Sequence, residues 1–120
     1  MLTHGNILAS SRQSGSIVEI DPEQLNIVIA PMPVYHIYGF TMKIVGTFCA
    51  GGHSILIPDP RDINGLIDTM KAWPFTAMAG INTLFVGLMQ HPEFDAIEFS
   101  HVKGVIAGGA ALVEEIASEW

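Results

Sequence analysis

Charge is scarce in this chain. Of its 120 residues only 14% are Asp, Glu, Lys or Arg, against about 25% in an average soluble domain. Nearly half, 49%, are hydrophobic. A body this small has much surface for few charges to cover. Some apolar surface therefore needs cover, either from a second copy or from the rest of a larger polypeptide. The second is the expectation, with residues 1–120 as a single α/β subdomain; a homodimer stays open. Cationic residues are scarcest, with Lys and Arg numbering 5 against 12 Asp and Glu, for a net charge of −7. Such a chain repels a phosphate backbone, which argues against nucleic acid as a general partner. A nucleotide held by backbone amides remains allowed.

Cysteine is limited to Cys49, so no internal disulfide can form. Its apolar surroundings predict a buried small hydrophobe, in keeping with a reducing cytosol. The start, Met1 to Asn6, lacks the basic segment and apolar run of a signal peptide. Tyr35 to Ile57 carries Lys43 as its single charge, but Gly51-Gly52 and His53 interrupt it. The part before the break is short for the ~20 residues that span a bilayer. None of the histidines is spaced as His-x-x-x-His and Cys49 has no second cysteine, so no metal site is expected. His53, His91 and His101 adjoin turns and are expected in solvent. No internal repeat or low-complexity tract is visible.

What is present is an alternation. Asn26 to Ala30 is β-branched and apolar, as in a strand buried on both faces, and Pro31 and Pro33 end it. His36 to Ala50 is apolar nearly all round, predicting a buried helix closed by Gly51-Gly52. Ser54 to Ile57 predicts a second strand, and Asp62 caps a helix to about Trp73. Phe75 to Ala79 predicts a third strand, with a turn at Gly80. Asn82 or Thr83 can cap a helix through Gln90. Glu93 to His101 reads as a loop with apolar anchors. Lys103 to Ala107 predicts a fourth strand, Gly108-Gly109 a turn, and Leu112 to Trp120 a helix whose Glu114, Glu115 and Glu119 face solvent. Gly5 to Gly15 is expected to be helical as well. Strand and helix in this order predict an α/β fold with a mostly parallel sheet.

Ligands of such sheets gather beyond the carboxyl ends of the strands. Three loops qualify: Pro31 to Gly39, Gly80 to Thr83, and Gly108 to Leu112. The first holds Tyr35-His36-Ile37-Tyr38-Gly39. A histidine at a strand-to-helix junction can offer one nitrogen to a ligand while the backbone holds the other; it can equally be a helix-start residue satisfied by nearby carbonyls. Gly39 permits close approach to the helix. Asn82 and Thr83 read most simply as caps. Gly108-Gly109-Ala110 falls short of Gly-x-Gly-x-x-Gly and by itself reads as a plain βα turn.

Together, in their order and spacing, these segments resemble the adenylate-forming superfamily, and within it bacterial long-chain fatty acyl-CoA ligases. Pro31-Met32-Pro33-Val34-Tyr35-His36-Ile37-Tyr38-Gly39-Phe40-Thr41 resembles the family's aromatic/His-x-x-Gly motif. Met1 to Asn6 resembles the stretch after its phosphate loop, and Ala107-Gly108-Gly109-Ala110 the segment lying between adenine and acyl group. Pro60 to Ile63, Pro74 to Ala77 and Gly80 to Phe85 add subfamily likeness. The resemblance runs over essentially the whole chain.

It implies the large N-terminal domain of a ligase that activates a long-chain fatty acid with ATP and Mg²⁺ to an acyl-adenylate, then transfers it to CoA. By the same resemblance His36 sits beside the acyl carboxylate and the α-phosphate, in a positioning role. Tyr35, Tyr38 and Gly39 shape that wall. Gly80, Asn82 and Thr83 line the acyl pocket, and Gly108, Gly109 and Ala110 lie against adenine and acyl chain. It further implies a cytoplasmic enzyme, with peripheral association at the inner face of the membrane left open. The family's phosphate loop, its magnesium-binding segment, its ribose-binding Asp and its C-terminal lysine have no counterpart in these residues. The isolated chain is therefore expected to be an inactive internal fragment, whose other partner is the remainder of the ligase. The competing readings are a free-standing α/β binding module without catalysis, and a membrane-associated structural protein using Tyr35 to Ile57.

Overall fold

A computed structural model describes residues 1–15 and 25–120. Four short strands form one parallel sheet: β1 (Ile27–Ala30), β2 (His53–Leu56), β3 (Ala77–Gly80) and β4 (Gly104–Ala107), in the order β2-β1-β3-β4. β1 pairs with β2 on one side and β3 on the other, and β4 closes the far edge. Each strand falls within one or two residues of its expected bounds. All of β1 is buried, as its unbroken β-branched run requires for a central strand covered on both faces.

Side chains alternate across the sheet. Ile27, Ile29, Met78, Ile55, Val105 and Ala107 point into the main core. That face is covered by α3 (Ile63–Ala72), α4 (Asn82–Met89) and α5 (Glu114–Glu119). Leu66, Ile67 and Met70 form the inner stripe of α3, and Leu84, Phe85 and Leu88 that of α4. Fully burying a side chain of this size contributes about 1.5–3 kcal/mol. Asp62 begins α3 as expected, its Oδ1 accepting from the Gly65 amide at 3.0 Å. Pro74 follows its end, where helical backbone is disfavoured for the preceding residue. The loop after α4 contains a short 3-10 turn, Phe94–Ala96. Its anchors Phe94 and Phe99 gather with Phe85 around Trp120, at centroid distances of 5.4, 6.1 and 4.8 Å.

The opposite face carries Val28, Ala77 and Ile106. They line a small cavity of about 120 Å³ with residues of α1 (His4–Gly15) and of the helix after β1, among them Ser11, Met42 and Lys43. That helix departs from expectation. His36 stays outside it, Ile37 and Tyr38 open it as α-helix, Gly39–Gly46 winds as a π-helix, and Thr47–Cys49 (α2) is α-helical again. It is not buried all round either: Thr41, Lys43 and Thr47 turn inward, while Phe48 is 81% exposed. One side meets the sheet and α1, and no described element covers the other. Cys49, expected to be buried, is exposed for the same reason. His91 departs in the opposite direction: half-buried, its Nε2 lies 2.8 Å from Asn64 Oδ1 and its Nδ1 accepts from the Glu93 amide. His53 and His101 are exposed as expected. No helix among the described residues is long and apolar enough to cross a membrane.

Candidate functional site

The sheet order reverses between β1 and β3. The chain leaves β1 toward β2 on one side and later returns to β3 on the other. Connections diverging at such a point leave a crevice beyond the carboxyl ends of the two strands. A cleft of about 410 Å³ opens there. Pro31, Met32 and Pro33 border it from the β1 loop, Pro60, Arg61 and Ile63 from the β2 loop, and Ile81, Thr83 and Leu84 from the end of β3. Of the expected site residues Thr83 lines this cleft. The contribution of Pro60 and Arg61 was not expected as part of a site. The strand-end rule that picked the other loops applies equally to the turn after β2 and could have found it.

Arg61 is the one cation bordering the cleft, and it is engaged: Nε lies 3.0 Å from Asp59 Oδ1. The pair is exposed. The Arg61 hydrogen bond holds the Asp59 carboxyl below its usual range, yet an exposed pair of this kind adds little stability. Among the described residues no group of three or more His, Cys, Asp or Glu side chains could hold a metal ion.

Tyr38, Gly80, Asn82 and Gly108 meet at the ends of β1, β3 and β4. Tyr38 is half-buried, and desolvation raises its phenol pKa above the ordinary value. Its ring packs on the turn after β4: a Cβ added to Gly108 would stand 3.4 Å from Tyr38 Cζ and Oη. The Gly108 amide donates to the Gly80 carbonyl at 3.1 Å, binding this turn to the end of β3. Gly109 takes φ +83°, a left-handed conformation that favours glycine. Gly80 is itself closed in, with Leu84 and Phe85 3.0 Å from where a Cβ would stand. Ala110 is exposed.

His36 is exposed, and its Nδ1 accepts the Tyr38 amide at 3.2 Å. A neutral ring so held carries its proton on Nε2, which is left to donate. The residue is also tied into its loop by its amide to the Pro33 carbonyl, at 3.0 Å. Gly39 stands behind it, buried. A Cβ there would fall 2.5 Å from the Pro33 carbonyl oxygen, so glycine is what lets the helix begin this close to the loop. Tyr35 is 91% exposed and does not join the cluster.

Asn82 and Thr83 are not caps. The residue before α4 is Ile81, with no side-chain cap. Asn82 instead reaches sideways, its Nδ2 donating to the Ala111 carbonyl at 2.8 Å and its Oδ1 accepting from the Val113 amide at 3.4 Å. The first loop thus meets the third through Tyr38 and Gly108. The second meets the third through Gly80 and Asn82.

All of residues 1–120 match the family described as AMP-binding enzyme. The chain belongs to that family. It is 37% identical over 124 aligned positions to the long-chain-fatty-acid–CoA ligase of Salmonella typhimurium, all of this chain aligning with 22% of that protein. The chain thus spans about a fifth of the length of the curated relatives it matches. Among solved structures, ATP-bound MatB from Rhodopseudomonas palustris is 27% identical, with a TM-score of 0.82 over 100% of this chain and 23% of MatB. O-succinylbenzoate coenzyme A synthetase from Bacillus subtilis, with ATP and magnesium, gives a TM-score of 0.81 over 98% of this chain and 23% of that one, at 17% identity. The parallel α/β sheet is therefore the fold of a piece of an AMP-binding enzyme, as the motifs implied.

Proposed function

We propose that this chain forms one wall of the acyl-adenylate pocket in a long-chain fatty acyl-CoA ligase. The observation carrying this reading is the meeting of the three strand-end loops beside the β1–β3 crevice, in a chain of the AMP-binding family. The fatty acid and CoA come from what the Salmonella relative is called, and ATP with magnesium from the bound state of the Bacillus synthetase. In this reading His36 Nε2–H donates to an oxygen of the acyl carboxylate or the α-phosphate, orienting it without moving a proton. Tyr38, Gly108 and Gly109 offer a flat surface to adenine and to the first carbons of the acyl group. Thr83 and the apolar border of the cleft receive the acyl chain, while Gly39 and Gly80, both buried, let the surrounding segments close in behind the wall.

The same residues limit what the chain does by itself. A carboxylate attacking a phosphate brings two anions together, and that needs clustered cations and amide donors. Arg61, already paired, is the one cation bordering the cleft. Magnesium ligands and the remaining phosphate contacts belong to the rest of the ligase.

The test is fatty-acid-dependent pyrophosphate release from ATP, with acyl-AMP identified by mass. The intact ligase carrying this sequence forms acyl-AMP, and His36→Ala in it lowers kcat/KM by about 10²-fold, in the range of a lost transition-state donor. Residues 1–120 alone form none. Acyl-AMP made by the isolated chain, or an unaffected His36→Ala ligase, overturns the reading.

A further inference from the structure

The turn from Ala107 to Val113 cannot hold itself. Its sequence, Ala-Gly-Gly-Ala-Ala-Leu-Val, has no side chain able to make a hydrogen bond. Gly109 sits at positive φ, and Ala110 to Val113 are exposed. At the β4 end the Gly108 amide is fixed to the Gly80 carbonyl. At the other end the attachment is the side chain of Asn82, which takes the Ala111 carbonyl and the Val113 amide together. A primary amide supplies a donor and an acceptor from one short side chain. Asp keeps the acceptor and loses the donor, and Ala loses both.

We propose that Asn82 is a positioning residue that sets the Gly108–Ala110 turn against the Tyr38 ring. Both polar atoms of its amide engage this backbone. Asn82 acts through the turn, fixing where Gly108 and Gly109 stand relative to Tyr38. Val113 is also the residue from which α5 starts, so the same side chain sets the origin of that helix. The functional part of this inference rests on the ligase reading; the brace itself rests on the two hydrogen bonds.

The experiment uses the intact ligase, as wild type, Asn82→Ala and Asn82→Asp. Two measurements are made: amide hydrogen exchange, and steady-state kinetics with ATP varied. Opening of a local brace is read as faster exchange confined to its segment. Amides from Gly108 to Val113 exchange on the order of 10-fold faster in Asn82→Ala, while those of β1 and β3 are unchanged. KM for ATP rises by about 10-fold with a smaller change in kcat, at a melting temperature close to wild type. Asn82→Asp sets a carboxylate oxygen against the Ala111 carbonyl and is affected at least as strongly. Unchanged exchange over 108–113 overturns the brace. Loss of activity that follows only the folded fraction, with KM unchanged, overturns the positioning role. A wild-type ligase forming no acyl-AMP overturns the ligase reading, and the functional role with it, while the exchange result still decides whether the brace exists.

Discussion

Lys43 is an amine enclosed by apolar surface. It is 5% exposed and lines the small cavity between the π-helix and the sheet, and burial lowers its pKa from the ordinary lysine value. The unfolded chain then binds more protons than the folded one as pH rises from the lowered value toward 10.5, so stability increases across that window. Below it the amine is charged in both states and the full cost of burying the charge is present. Lys43→Met is expected to raise stability at pH 7 by on the order of 1 kcal/mol and to flatten the rise on the alkaline side. Urea unfolding midpoints of wild type and variant, at pH 7 and at pH 10, check both. At this scale the sequence was legible where a residue's setting follows from its place along the chain, as with His36, which stands at the strand-to-helix junction with one ring nitrogen held by backbone. Asn82 was misread because a cap and a cross-loop brace use the same side chain. Only the spatial neighbour distinguishes them, and Ala111 lies 29 residues away.

Among the elements, α3 depends most visibly on a single side chain. Asp62 satisfies the Gly65 amide at the exposed start of the helix, and Asp62→Ala is expected to cost about 1 kcal/mol. The loss should appear as a lower thermal midpoint without change in KM for ATP, because α3 touches the cleft only through Ile63. Strands and helices here were largely readable: proline, paired glycines and Asp62 punctuate runs whose periods differ. The π-helix was not. An i→i+4 and an i→i+5 ladder can carry the same apolar composition, and the choice is made by packing. The exposure of Phe48 and Cys49 was hidden for a related reason. An apolar segment looks alike whether its cover belongs to the same element group or to another.

For the molecule as a whole, the strand order and the resulting crevice place the candidate site, and neither is written in local pattern. Alternation implies parallel strands; it does not say that β1 and β3 are neighbours with β2 outside. The aromatic cluster around Trp120 is the long-range tie that seats α5 on α4 and on the loop holding Phe94 and Phe99. Trp120→Ala is expected to destabilise by about 2 kcal/mol, below the range for a fully buried tryptophan because Trp120 is half-buried. Chemical denaturation of the intact ligase measures it. Hydrogen exchange should then quicken across α5 before it does in β1.

The chain's two tryptophans occupy unlike surroundings, which gives it two built-in optical probes. Trp120 is hemmed by phenylalanine rings. Trp73 instead meets the His53 ring edge-on, at 5.2 Å and 89°. The imidazole edge lies within contact range of the indole, so His53→Ala should change the emission of Trp73 and leave that of Trp120 as it was. Emission from Trp73 reports on the β2 edge of the sheet, and emission from Trp120 on the helical layer that carries the Asn82-braced turn, so the two ends can be followed separately in one unlabelled sample.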